Sequence, residues 1–121
     1  MEQQALVLEK LDQHSVLAAL SRHIGKGAGV KIGSLVFEAT GSAPTASLER
    51  QCRNVISDLR RAGYPVCAHP RNGYYVAKTQ QELDECCQFL RDRAMHSLTL
   101  EAALRRVALP ELIGQLRFVE H

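Results

Sequence analysis

The stretch from Leu48 to Val76 constrains the fold more than any other part of the chain. Leu48, Cys52, Val55, Ile56 and Leu59 stand at i, i+4, i+7, i+8 and i+11, the spacing that lines one side of an α-helix. Thr45 or Ser47 can cap its start, and Gly63 predicts its stop, because glycine accepts the left-handed conformation that closes many helices. Two apolar runs follow at once, Tyr64-Pro65-Val66-Cys67-Ala68 and Gly73-Tyr74-Tyr75-Val76-Ala77, around His69-Pro70-Arg71-Asn72. Aromatic and β-branched residues flanking an Asn-Gly turn predict a β-hairpin. A helix therefore runs straight into a hairpin with one arginine, Arg71, at its tip.

Two shorter helices are expected before it. Asp12 caps a segment in which Val16, Leu17, Leu20 and Ile24 recur, and Gly25-Lys26-Gly27-Ala28-Gly29 reads as its stop and a flexible connection. A second segment, Ile32 to Ala39, ends in the turn Thr40-Gly41-Ser42-Ala43-Pro44. After the hairpin, Thr79-Gln80-Gln81-Glu82 has the spacing of a capping box and opens a long helix with Leu83, Cys87, Leu90 and Ala94 on one face. That stripe breaks at Glu101, and Leu98, Leu100, Ala102, Ala103, Leu104 and Val107 spread apolar character round the helix. Either a bend near Ser97 to Thr99 or packing against two different partners accounts for the change. Pro110 ends the helix, residues 111–118 form an apolar-rich tail, and the structure of residues 1–11 is left open. Val119-Glu120-His121 resembles the stub of an expression tag and is set aside.

Composition excludes more than it assigns. Hydrophobic residues make up 45% of the 121, enough for a core, yet no apolar run has the length of a membrane span. A net charge of +2 does not announce a nucleic-acid partner, so such a case must rest on where the charges stand. The polar start, Met1-Glu2-Gln3-Gln4, lacks a secretory pattern and predicts a cytoplasmic chain with four free thiols. Cys67, His69 and the Cys86-Cys87 pair could hold zinc, but they lack the C-x-x-C spacing of a structural site. Core packing is the plainer reading, and no metal or cofactor is expected. The five histidines are scattered, and no phosphate-binding glycine loop or nucleophile motif is present. The chain reads as non-enzymatic.

Chemistry concentrates on the third helix. Projected at roughly 3.6 residues per turn, its apolar stripe stands opposite Ser47, Arg50, Asn54, Ser57 and Arg61, with Gln51 and Arg53 on the flanks. The acids Glu49 and Asp58 lie on the shoulders, leaving the outward centre free of negative charge. Arginine can bond guanine bidentately, and asparagine or glutamine suits adenine, so these side chains could read base edges. Arg50, Gln51 and Asn54, nearest the helix start, would enter a major groove deepest. His69, Arg71 and Lys78 on or beside the hairpin could reach phosphate or a narrow minor groove. The alternative is an ordinary solvated helix face.

Residues from about Val16 to Ala77 resemble the winged helix-turn-helix of the biotin-repressor type, in which a Leu-Arg pair and a glycine lead into a wing closing on Gly-Tyr. Here those are Leu59-Arg60, Gly63 and Gly73-Tyr74. The chain also resembles small proteins of bacteriophages and prophages, with Arg91-Asp92-Arg93-Ala94-Met95-His96-Ser97-Leu98 part of that likeness. No biotin ligase domain follows the wing, so the enzymatic half of that family is not implied. The expectation is an α+β, mainly α chain: a winged helix-turn-helix of three helices and a hairpin over residues 12–78, then a long helix and tail over 79–118. Its expected work is binding double-stranded DNA as a small phage regulator. Leu98, Leu100, Ala103, Leu104, Val107, Leu112, Ile113 and Leu116 are expected to form a homodimer interface or to dock a host or phage protein. The alternative is a protein-interaction adaptor gripping its partner through the same C-terminal region.

Overall fold

The computed structural model describes residues 10–107 together with Pro110 and Gly114. Its elements are α1 (Gln13–Leu20), a 3-10 turn (Lys26–Ala28), α2 (Ile32–Thr40), α3 (Ala46–Arg61), β1 (Val66–His69), β2 (Gly73–Val76) and α4 (Gln80–Arg105). The chain divides into two compact units, residues 1–86 and 87–121, the boundary falling inside α4. The architecture is α+β and mainly helical, as expected. Among the described residues no helix is long and apolar enough to cross a membrane.

In the first unit α1, α2 and α3 pack on one another around Val16, Leu20, Leu35, Val36, Cys52, Ile56 and Leu59, all buried, with Val30 and Val66 closing the cluster. Each such side chain contributes about 1.5–3 kcal/mol relative to exposure. Asp12 caps α1 as the sequence predicts. Its carboxylate accepts from Ser15 N at 2.8 Å, while Ser15 Oγ accepts from Asp12 N at 3.1 Å. The helix stops at Leu20, so Ile24, expected on its apolar face, lies beyond it and is 53% exposed. Thr45 Oγ1 accepts from Leu48 N and caps α3. At the other end Tyr64 N donates to Leu59 O and Gly63 N to Arg60 O, with Gly63 at φ 101°. Those paired bonds turn the chain sharply into β1.

The hairpin joins Val66 to Val76, Cys67 to Tyr75, Ala68 to Tyr74 and His69 to Gly73 in antiparallel register. Alternate residues face opposite ways. Val66, Tyr74 and Val76 pack toward the three-helix core, while Cys67 and Tyr75 pack on the other side with Cys86, Ala77 and Leu83. Both faces are covered, which explains why the two runs are apolar throughout instead of alternating.

The segment read as a flexible connection after α1 is held in place. Val76 N donates to His23 O and Gly25 N to Val76 O, and Val30 and Tyr74 exchange a further pair of backbone bonds. The glycine-rich loop thus touches the free edge of β2 at two isolated bridges, Ile24 parallel to Val76 and Val30 antiparallel to Tyr74, on either side of the 3-10 turn. Glycine composition suggested freedom; the free N–H and C=O groups of an edge strand demanded a partner instead.

The capping box before α4 forms only in part. Thr79 Oγ1 accepts from Glu82 N at 3.2 Å, but the Glu82 carboxylate reaches past Thr79 to Lys78 N (2.8 Å) and Lys26 N (3.0 Å). Glu82 thereby ties the 3-10 turn to the start of α4. Beyond this point α4 is one unbroken helix, with Thr99 Oγ1 bonding Met95 O where the sequence allowed a bend.

Candidate functional site

Because Cys52, Ile56 and Leu59 are drawn into the core, α3 turns its opposite side to solvent. Ser47, Arg50, Gln51, Arg53, Asn54 and Arg61 are exposed and Ser57 is half-buried, so the face projected from the sequence is outward. Its members are not equivalent. Arg53 pairs with Glu49 at 3.8 Å and Arg61 with Asp58 at 3.2 Å, one turn away in each case. Gln51 Nε2 donates to Ser47 Oγ at 3.2 Å. Surface pairs of this kind are worth only a few tenths of a kcal/mol, so a stronger anion displaces them readily. Among the described residues Arg50 and Asn54 have no side-chain hydrogen bond or ion pair, and they stand one turn apart. The shoulder acids therefore engage Arg53 and Arg61, and among the described residues leave Arg50 without an ion pair.

The hairpin tip is built by contacts absent from the sequence reading. Lys31, at the head of α2, donates from Nζ to the carbonyl oxygens of Pro70 (3.1 Å) and Arg71 (2.8 Å). Asn72 Nδ2 donates to Lys26 O, and Arg71 N donates to His69 Nδ1 at 3.1 Å. His69 is half-buried and already holds the turn through that nitrogen, whereas the Arg71 side chain is exposed and, among the described residues, unpaired. Lys78 is exposed just after β2. Arg60, adjacent to the outward face, turns inward instead: its Nε donates to Val66 O at 2.7 Å and fixes α3 against β1. Lys31, Asn72 and Glu82 were missed because each acts through backbone atoms far away in the chain, and no local spacing encodes such a contact.

A second polar brace joins α1's exit to α2. The His23 ring nitrogens stand 2.8 Å from Ala28 O and 2.7 Å from Glu38 Oε1. No three His, Cys, Asp or Glu side chains converge as metal ligands among the described residues; Cys67 and Cys86 lie with Tyr75 in the small cluster behind the hairpin. Of the residues read as an interface, Leu98, Leu100, Ala103, Leu104 and Val107 are exposed in the second unit. Leu112, Ile113 and Leu116 lie outside the described residues, as do residues 1–9 and the tag-like end. No family model, curated protein or solved structure matches this chain.

Proposed function

We propose that residues 12–78 are a winged helix-turn-helix that binds double-stranded DNA without catalysis, as the recognition part of a small phage or prophage regulator. In this reading α2 and α3 are the helix-turn-helix and the hairpin is the wing. The two backbone bridges from Ile24 and Val30 to β2 support it, because they tie the wing to the helices. The observation that carries the reading is the outward face of α3. Arg50 and Asn54 are exposed there and, among the described residues, unengaged, beside side chains that can read base edges. Arg71 extends from a hairpin braced by Lys31, where a cation can hold phosphate.

Phe37 favours a second reading. It lies 57% exposed on α2, beside Lys31, Gly33 and Pro44, where an apolar partner surface could seat. An adaptor that docked a protein at this patch, instead of through the C-terminal region expected from the sequence, would leave Arg50 idle.

Backbone amide resonances recorded during titration with a mixed-sequence duplex separate the two. DNA binding predicts shifts on the outward face of α3 and at residues 69–72, reversed by salt. Absence of any shift at low ionic strength would remove the DNA reading and leave the adaptor.

A further inference from the structure

The polar brace at the exit of α1 fixes a proton count. The His23 side chain is 17% exposed, and both ring nitrogens face an oxygen: Nδ1 stands 2.8 Å from Ala28 O and Nε2 stands 2.7 Å from Glu38 Oε1. A carbonyl oxygen only accepts, so Nδ1 carries a hydrogen. An ionised carboxylate also only accepts, so Nε2 carries one too. A neutral imidazole has a single N–H and satisfies one of these partners, not both. The two bonds together require one proton more than a neutral ring beside a carboxylate holds. The same residue is a junction in the fold. Its backbone carbonyl accepts from Val76 N on β2 at 2.8 Å, while its ring reaches the 3-10 turn and α2. That turn carries two further ties: Lys26 O accepts from Asn72 Nδ2 near the hairpin tip, and Lys26 N donates to Glu82 at the start of α4. Whatever holds the turn therefore also supports the hairpin.

We propose that His23 is a proton-operated latch on this turn. As imidazolium it closes Lys26–Ala28 against α2. On losing a proton to solvent, the ring keeps the stronger, charge-assisted bond to Glu38 and gives up Ala28 O. The turn beneath the hairpin is then released. Glu38 is the acid that faces the ring from α2, and the cation at the head of that helix, Lys31, is committed to the hairpin tip. On the α1 side His14 and Arg22 line a groove together with Glu38. Lys26 of the turn directs Nζ to Glu85 at 3.6 Å, β2 carries no charged residue, and the Lys78 side chain lies beside Gly25. The sign follows from the proton count. A histidine in an unfolded chain loses its proton around pH 6.5, whereas the closed latch retains it. Above that pH the folded chain binds more protons than the unfolded one, so the latch contributes in mild acid and is lost as pH rises. It acts on the fold of the first unit and holds whether or not that unit binds DNA.

Two magnetic-resonance readings on the full chain test the latch at about pH 5.5 and about pH 8, on either side of the ordinary histidine range. The ¹⁵N shifts of the His23 ring report which nitrogens carry hydrogen. Protection factors of the Ala28 and Gly29 amides, which donate to Gly25 O and Lys26 O within the turn, report its closure once corrected for the intrinsic pH dependence of exchange. The expected result is hydrogen on both nitrogens at the lower pH, and about fivefold less protection at the higher one, the worth of one ordinary hydrogen bond. Glu38→Gln discriminates. Its amide can donate to Nε2 of a neutral ring and leave the Nδ1 hydrogen on Ala28 O, so both bonds persist without the extra proton. Protection in Glu38→Gln is expected to stay within about twofold across the same range. A bare ring nitrogen at the lower pH, wild-type protection that does not change with pH, or a Glu38→Gln chain that loses as much protection as the wild type would each overturn the proposal.

Discussion

Lys31 Nζ stands 2.8 Å from the carbonyl oxygen of Arg71, joining the head of α2 to a hairpin tip 40 residues away. With Pro70 O also in reach, one ammonium group holds two carbonyls of the turn and so sets the direction in which Arg71 leaves it. Lys31→Met is expected to accelerate amide exchange at Arg71 and Asn72 several-fold, because an exposed charge-assisted bond is worth about 1 kcal/mol. Global stability should change by no more than that. Unchanged exchange at the tip would show that Lys31 does not brace it.

The close approach of the glycine-rich loop to the hairpin makes two glycines obligatory. A Cβ on Gly29 would stand 2.0 Å from Asn72 O, and one on Gly73 would stand 2.2 Å from Val30 O with φ at +82°. Gly29→Ala and Gly73→Ala are each expected to cost about 2–4 kcal/mol in urea unfolding. Gly27→Ala is the control. It meets nothing within 4 Å, and the change should be neutral or mildly stabilising.

Glu82 gives the first unit a dependence on acid. The amide of Lys78, then that of Lys26, donates to its carboxylate and holds its pKa below the ordinary glutamate value. A carboxyl depressed on folding contributes stability above its unfolded pKa of roughly 4.3 and loses it as pH falls through the folded value. The urea midpoint of the wild type should therefore exceed that of Glu82→Gln near neutral pH, and the two should converge in acid. A constant gap between the two midpoints from neutral pH into acid would contradict this account. Asp12, lowered mainly by the amide of Ser15, adds a slope common to both proteins.

On the proposed DNA-binding reading, Asn54 and Arg71 would separate base reading from phosphate contact. Asn54→Ala is expected to relax preference at one base position in a site-selection experiment, with modest loss elsewhere. Arg71→Ala should weaken all sequences alike and lower the salt slope by about one. Equal loss across all sites for Asn54→Ala would remove it from a base-reading role.

Local pattern made the helices legible. The stripe Leu48, Cys52, Val55, Ile56, Leu59 locates α3 and its outward face, because burial on one side determines exposure on the other. Asp12, Thr45 and Gly63 mark helix ends since caps act within a few residues. What stayed hidden depends on distant chain segments. The loop Gly25 to Gly29 pairs with β2, Glu82 abandons its own cap for Lys26, and Lys31 crosses to Arg71. Each was invisible because a lysine or glycine has the same local spacing whether it is solvated or bonded across the fold. The neutralisation of Arg53 and Arg61 was closer to legible. Glu49 and Asp58 stand four and three residues from them, a spacing at which helical side chains meet.

The central claim, that α3 and the hairpin tip bind DNA, is tested most directly by fluorescence anisotropy of a random duplex pool at two salt concentrations. The wild type is compared with Arg50→Ala/Arg71→Ala. The account predicts binding on the order of 10⁻⁴ to 10⁻⁶ M that weakens steeply with salt, with the double variant at least about tenfold weaker and less salt-dependent. No binding at low salt, or equal binding by the double variant, would contradict it.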